Sequence, residues 1–159
     1  MRRLITFVSI GILILFIGIG CEGTGNPFTG SQWDVGVHHL SFSRVAAEWS
    51  TADNQLILKF DLMSGSSYPT AEVTVDSVTT LNVGDTRDAD VHVAVSQGVE
   101  YECIAGDIEI NATVTFTRLD LTPLGAVSGS IQGMARRIGD PTEPLVMVTG
   151  DFKDVIVTN

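Results

Sequence analysis

The sequence predicts an all-β domain, an antiparallel β-sandwich or small barrel of about eight strands behind an N-terminal signal peptide. Three observations carry this expectation. Apolar residues alternate with polar ones at a period of two from about Val35 onward, as on a strand with one buried face. Gly, Asn, Asp, Ser and Pro clusters interrupt the alternation at short intervals, as turns do. Apolar residues make up 44% of the chain and charged ones only 18%, enough apolar content for a core and too little charge for a disordered chain.

The elements follow in order. A first strand is expected near Val37–Arg44, and Arg44–Trp49 is the one stretch whose pattern admits a helical turn. From Gln55 to Met63 the residues Leu56, Leu58, Phe60 and Leu62 share one face, with Lys59 and Asp61 on the other. Val73 and Val75 alternate with Glu72, Thr74 and Asp76, and Val91, Val93 and Val95 with Asp90, His92 and Ala94. Val99–Ile104 follows, then Ile108, Ile110, Ala112, Val114 and Phe116, a run long enough to cross a whole sheet. Val127–Ala135 and Leu145–Val157 complete the set. A bulge is expected at Gly150, because the apolar phase shifts between Met147 and Phe152. The turn signals include Asn82-Val83-Gly84-Asp85, Gln97-Gly98, Pro123-Leu124-Gly125 and Gly139-Asp140-Pro141.

The first twenty residues differ from the rest. Arg2 and Arg3 precede an uncharged run from Leu4 to Gly20, the plan of a secretory signal. As a helix that run measures about 25 Å, short of the roughly 30 Å hydrocarbon core, although an uncleaved membrane anchor is the alternative. Three segments result: a signal peptide over 1–20, a lipidated Cys21 with a flexible tether over 21–34, and a β domain over 35–159. Glu22-Gly23-Thr24-Gly25-Asn26-Pro27 has no periodicity and supplies the tether. Removal of 1–20 takes two of the nine basic residues and none of the nineteen acidic ones, leaving a net charge of −12 against −10 for the whole chain. Such a surface repels the phosphate backbone of nucleic acid and anionic lipid headgroups and offers neither a basic patch, so no nucleic acid partner is expected.

Gly18-Ile19-Gly20-Cys21 resembles a bacterial lipobox, with Gly20 and Cys21 at its two most restrictive positions and Gly18 where a large aliphatic is usual. The resemblance implies that Cys21 carries a thioether-linked diacylglycerol, that the chain is cut before it, and that the lipid bilayer is a partner. Two or three acyl chains, at about 0.8 kcal/mol per buried methylene, anchor a protein stably. Glu22 after the cut points mildly to the outer membrane. Cys103 then has no partner and reads as a small buried hydrophobe, the alternative being a Cys21–Cys103 disulfide. Farther on, Gly106-Asp107-Ile108-Glu109-Ile110, Thr115-Phe116-Thr117-Arg118-Leu119-Asp120, Val127-Ser128-Gly129-Ser130-Ile131 and Gly150-Asp151-Phe152-Lys153-Asp154-Val155 resemble a run in uncharacterised bacterial lipoproteins. That resemblance implies a secreted β domain and adds no catalytic residue.

Candidate sites are few. Asp85, Asp88 and Asp90 fall within one expected hairpin turn, where spaced carboxylates supply some of the roughly six to eight oxygens calcium takes. The EF-hand spacing is absent, and Arg87 supplies an internal counter-charge; calcium is the cofactor such a turn would take, and otherwise none is expected. His38 and His39 are adjacent and face opposite ways in a strand, and His92 lies on a polar face with Asp90. No Gly-x-Ser-x-Gly elbow, Cys–His pair at an informative spacing or His-Glu-x-x-His is present. Glu100, Glu102 and Glu109 read as residues of a solvated sheet face. Trp33 is a candidate half-exposed contact for a sugar or partner, while Trp49 is expected in the core. Thr113, Thr115 and Thr117 offer a regular row of hydroxyls. The expectation is a membrane-anchored envelope lipoprotein with a non-enzymatic binding or structural domain, its partner an envelope protein or glycan. The alternative is an enzyme, or an accessory subunit of one, whose site assembles only in three dimensions.

Overall fold

The computed structural model describes residues 30–62 and 66–158. These form ten strands: β1 (Ser31–Val35), β2 (His38–Phe42), β3 (Arg44–Ser50), β4 (Gln55–Asp61), β5 (Thr70–Asp76), β6 (Thr86–Ser96), β7 (Val99–Cys103), β8 (Ala112–Leu119), β9 (Ala126–Arg137) and β10 (Val146–Thr158). Strands β3, β4, β5, β6, β8, β9 and β10 close into a seven-stranded ring, so the all-β domain is a barrel. Its seam is the short parallel pairing of Val157 with Ala47 and Thr158 with Glu48; every other pairing is antiparallel.

The three remaining strands extend the wall. β1 and β2 form a hairpin laid along β10 through Trp33–Gly150 and Val35–Val148. β7 and β8 occupy one position between β6 and β9: Cys103 lies opposite Val91, and Ala112 opposite Ala89. Only Asp90 separates those partners, so residues 104–111 leave the wall as a loop. This corrects the expected continuous strand through Ile108: the alternation runs on through the loop, but Ile108 is 98% exposed. Arg44–Trp49 is strand rather than helical turn, because Val45, Ala47 and Trp49 alternate inward at period two. Ten strands replace the expected eight because the stretch read as Val37–Arg44 ends at Ser43 and because β1 begins at Ser31, inside the stretch read as tether.

The interior is filled. Trp33 packs edge to face with Phe42 and Phe60, which meet each other at a tilt, with ring centroids 4.8–5.7 Å apart, and Phe116 meets Phe152 at 6.1 Å. Around them stand Val35, Leu56, Leu58, Val73, Val75, Val93, Val114 and Ile131, all buried; each such side chain stabilises the fold by about 1.5–3 kcal/mol. Trp33 is therefore a core residue at 1% exposure, not a half-exposed contact. Its indole N–H donates to the buried Ser31 hydroxyl at 2.9 Å, and that hydroxyl donates to the Asp151 carbonyl. Gly150 is explained by the same ring, since a Cβ there would lie 2.5 Å from Trp33. The bulge expected at Gly150 falls instead between Phe152 and Val155, where Asp154 takes a positive φ of 49° and its N–H donates to the Ser128 hydroxyl.

The two ends differ in construction. At one, the β5–β6 connection 77–85 crosses the opening, with a 3₁₀ turn (Val78–Thr80) that buries Val78 completely. Asn54 pins this turn: its carbonyl accepts from Ser77 N–H and its side chain from Thr79 N–H. At the other end the β1–β2, β6–β7 and β9–β10 turns gather.

Candidate functional site

Residues 1–29 lie outside the described residues, and with them the signal peptide, Cys21 and most of the tether. The remaining sequence candidates can be placed. Asp85, Asp88 and Asp90 do not share a turn: the turn closes at Asp85 and β6 takes over at Thr86. The strand tolerates Asp88 and Asp90 because both point outward while Ala89 between them faces the core. Each carboxylate accepts from its own protein donor, Asp85 from Asn82 N–H at 2.8 Å, Asp88 from the Asn111 amide at 3.2 Å and Asp90 from Ala105 N–H at 2.8 Å. Asp88 and Asp90 thus tie the 104–111 loop to the wall. Among the described residues no group of three His, Cys, Asp or Glu is placed to hold a metal ion.

His92 is the centre of a charged row. Lys59, Glu72, His92, Glu102 and Arg136 are successive register partners across β4, β5, β6, β7 and β9, all on the outer face. The His92 ring also meets Glu100 at 3.2 Å, Lys59 donates to Glu48 at 2.8 Å, and Arg136 to Glu109 at 2.8 Å. The hydrogen bond to Glu48 raises the Lys59 pKa. A shallow depression of about 340 Å³ opens over this row, lined by Lys59, Asp61, Thr70, Glu72 and His92. Glu100, Glu102 and Glu109 are all spent on this charged wall and its loop.

A second outer row, which shares β6 and β9 with the first, mixes carboxylates with hydroxyls and one amide. His39, Asp34, Thr149, Gln132, Thr113 and Asp88 succeed one another in register from β2 to β6. Asp151, Ser130, Thr115 and Thr86 form the next row, where the Thr86 and Thr115 hydroxyls meet at 3.1 Å. Thr117 is exposed beside a bulge and falls out of the array. His39 is exposed and pairs with Asp34 at 2.5 Å, while His38 faces inward, so the two histidines do point apart. Among the described residues Cys103 has no disulfide partner, and burial pushes the pKa of this thiol up to about 12, which disfavours the nucleophilic thiolate.

The polar groups that sequence reading missed sit at the barrel ends. At the open end His38 and Tyr101 bring their rings to 6.2 Å, and Arg137, the register partner of Tyr101, donates to Glu143 at 3.1 Å. That hydrogen bond raises the Arg137 pKa. His38, Tyr101 and Arg137 are far apart in sequence, and nothing in it joins them. At the plugged end Arg87 shares the inward parity of Ala89, Val91 and Val93 and stands in register with the buried Val114. It therefore does not act as counter-charge to Asp85, Asp88 and Asp90. Its Nη2 donates to the Thr80 hydroxyl at 3.1 Å, while its Nε is buried and meets no protein acceptor. The parity was a readable signal: Arg87 falls two residues before Ala89 on the apolar phase.

Comparison of the chain with protein-family models, with curated proteins and with solved structures finds no match in any of the three.

Proposed function

We propose that the chain is a lipid-anchored lipoprotein of the bacterial cell envelope, held through acylated Cys21, whose β domain binds a partner and does not catalyse. The observation that carries the second half is the setting of His92. The alternative, an enzyme, would bring His92, the Asp85–Asp90 stretch and a glutamate together in a deep pocket, which excludes water and strengthens electrostatics. Lys59, Glu72 and His92 of the row instead line a shallow, open depression, with Lys59, His92 and Arg136 each already paired to a glutamate, over an interior packed with aromatic and aliphatic side chains. Such a wall suits reversible contact with an envelope protein or a glycan. The anchor rests on the Arg2-Arg3 start, the apolar run and Gly20-Cys21.

Mass spectrometry of the membrane fraction tests the reading. An acylated N-terminal peptide beginning at Cys21 is expected, and Cys21→Ala should release the protein from the fraction. A mature N-terminus at Met1 would overturn the anchor.

A further inference from the structure

We infer that the plugged end of the barrel is a binding site for a small oxyanion, a carboxylate or a phosphate group, with Arg87 as its receptor. The inference goes beyond the proposed function and does not depend on the anchor.

Three observations converge on Arg87. First, its position is anomalous: an inward-facing place on β6, in register with Val114 and beyond it Ile131, both buried apolar residues. A guanidinium set among such neighbours loses hydration, and a buried donor left without an acceptor costs about 1–3 kcal/mol. Second, it stands alone among its kind. Of the described arginines, Arg44, Arg118, Arg136 and Arg137 each hold a carboxylate, whereas Arg87 holds none. This is so in a chain with nineteen acidic residues, two of which, Asp85 and Asp88, lie within two positions of it and accept from other groups. Third, the unused capacity has a shape. Nε and Nη2 form the side edge of the guanidinium, the edge that grips planar oxyanions with two parallel hydrogen bonds. Nη2 is bonded only to the Thr80 hydroxyl, and Nε to no protein atom.

Thr80 completes the receptor. Its hydroxyl accepts from Arg87 and donates its own hydrogen to the Ser77 carbonyl at 2.9 Å. An oxyanion on the Nε–Nη2 edge accepts both guanidinium hydrogens, and the Thr80 hydroxyl turns from Ser77 to donate a third. Arg87 is half-buried as a residue while its Nε is enclosed, so the oxyanion takes its place as the side chain turns the Nε–Nη2 edge toward solvent. The recognised chemistry is a charge of −1 or −2 spread over coplanar or tetrahedral oxygens; chloride offers no second acceptor to the same edge.

The test is an NMR titration of the arginine side-chain Nε–Hε resonances of the purified full chain. Sodium phosphate and sodium acetate are added separately, each against sodium chloride at constant ionic strength. A saturable shift of the Arg87 Nε–Hε signal is expected with one or both oxyanions, with no matching shift at Arg137; the responding arm names the group. Arg87→Lys keeps the charge but lacks the two-donor edge, and should bind at least tenfold more weakly. Thr80→Val should weaken binding at least threefold. An Arg87 signal indifferent to both oxyanions, or one that moves no more than those of the paired arginines, would overturn the site. So would Arg87→Lys binding as tightly as the native chain.

Discussion

The two ends of this barrel pose the same problem and solve it differently. Each carries an arginine on the inward phase of a strand, Arg137 at the end of β9 and Arg87 at the start of β6. Arg137 finds Glu143 from the β9–β10 connection and lies beside Tyr101. Arg87 meets a hydroxyl on a crossing connection and no carboxylate. The contrast teaches where to look for binding in a barrel with a filled interior. A matched ion pair is a finished structural contact, whereas an unmatched guanidinium keeps its capacity for something else.

The hairpin turns show that the difference is local. At the plugged end Asp120 accepts from the hydroxyl and N–H of Thr122; at the open end Asp140 accepts from those of Thr142 in the same way. In both, the Thr hydroxyl is the leading cause of a carboxyl pKa below its ordinary value, followed by the Thr N–H. The same device thus closes a hairpin at each end, so the difference lies in the crossing connection 77–85 and in the two arginines.

The largest expected effect comes from striking the core that both ends share. Gly150→Val drives a branched side chain into the Trp33 ring, where even a Cβ would come within 2.5 Å. Overpacking of this severity should cost about 3 kcal/mol, read as a lower urea midpoint at unchanged slope. Amide exchange should then accelerate at both ends together. Acceleration at one end alone would mean that the ends unfold as separate units.

Acid sharpens the comparison next. A carboxyl whose folded pKa lies below its unfolded value of 3.8 contributes stability that is present above that value and lost as pH falls through the folded one. Below about pH 4 the Thr122 and Thr142 amides should therefore lose exchange protection in parallel. Asp120→Asn and Asp140→Asn should each flatten this pH dependence at its own hairpin and leave the other unchanged.

How much of this was legible beforehand depends on whether a contact is periodic or tertiary. The strands from Gln55, Val73, Val91 and Val127 are legible because burial on one face imprints a period of two. The break between β7 and β8 is hidden because Ile108 and Ile110 continue the alternation through a loop; only Ile110, at 3% exposure, uses it to pack. Gly150 signals an irregularity in the sequence, but the reason is Trp33, more than a hundred residues away, and the bulge lies further along. The aspartates of β6 look like a cluster because sequence cannot show that each accepts from a different segment. Arg87 is the instructive case. Its apolar phase is readable, yet its charge among acidic neighbours suggests a counter-ion, and only the strand's parity decides between them. His38, Tyr101 and Arg137 come together through strands distant in sequence, which no local pattern encodes.

The smallest shifts in energy belong to the two arginines, since each guanidinium is partly in water, and their difference is the most direct test of the account. Melting curves of Arg87→Met and Arg137→Met are to be compared with the native chain in chloride buffer free of phosphate and carboxylates. Arg87→Met removes an unmatched donor from an apolar setting and should gain about 1 kcal/mol, raising the midpoint. Arg137→Met strands Glu143 and should lower it. Opposite signs are the predicted result; equal losses in the two variants would contradict the claim that the ends differ as described.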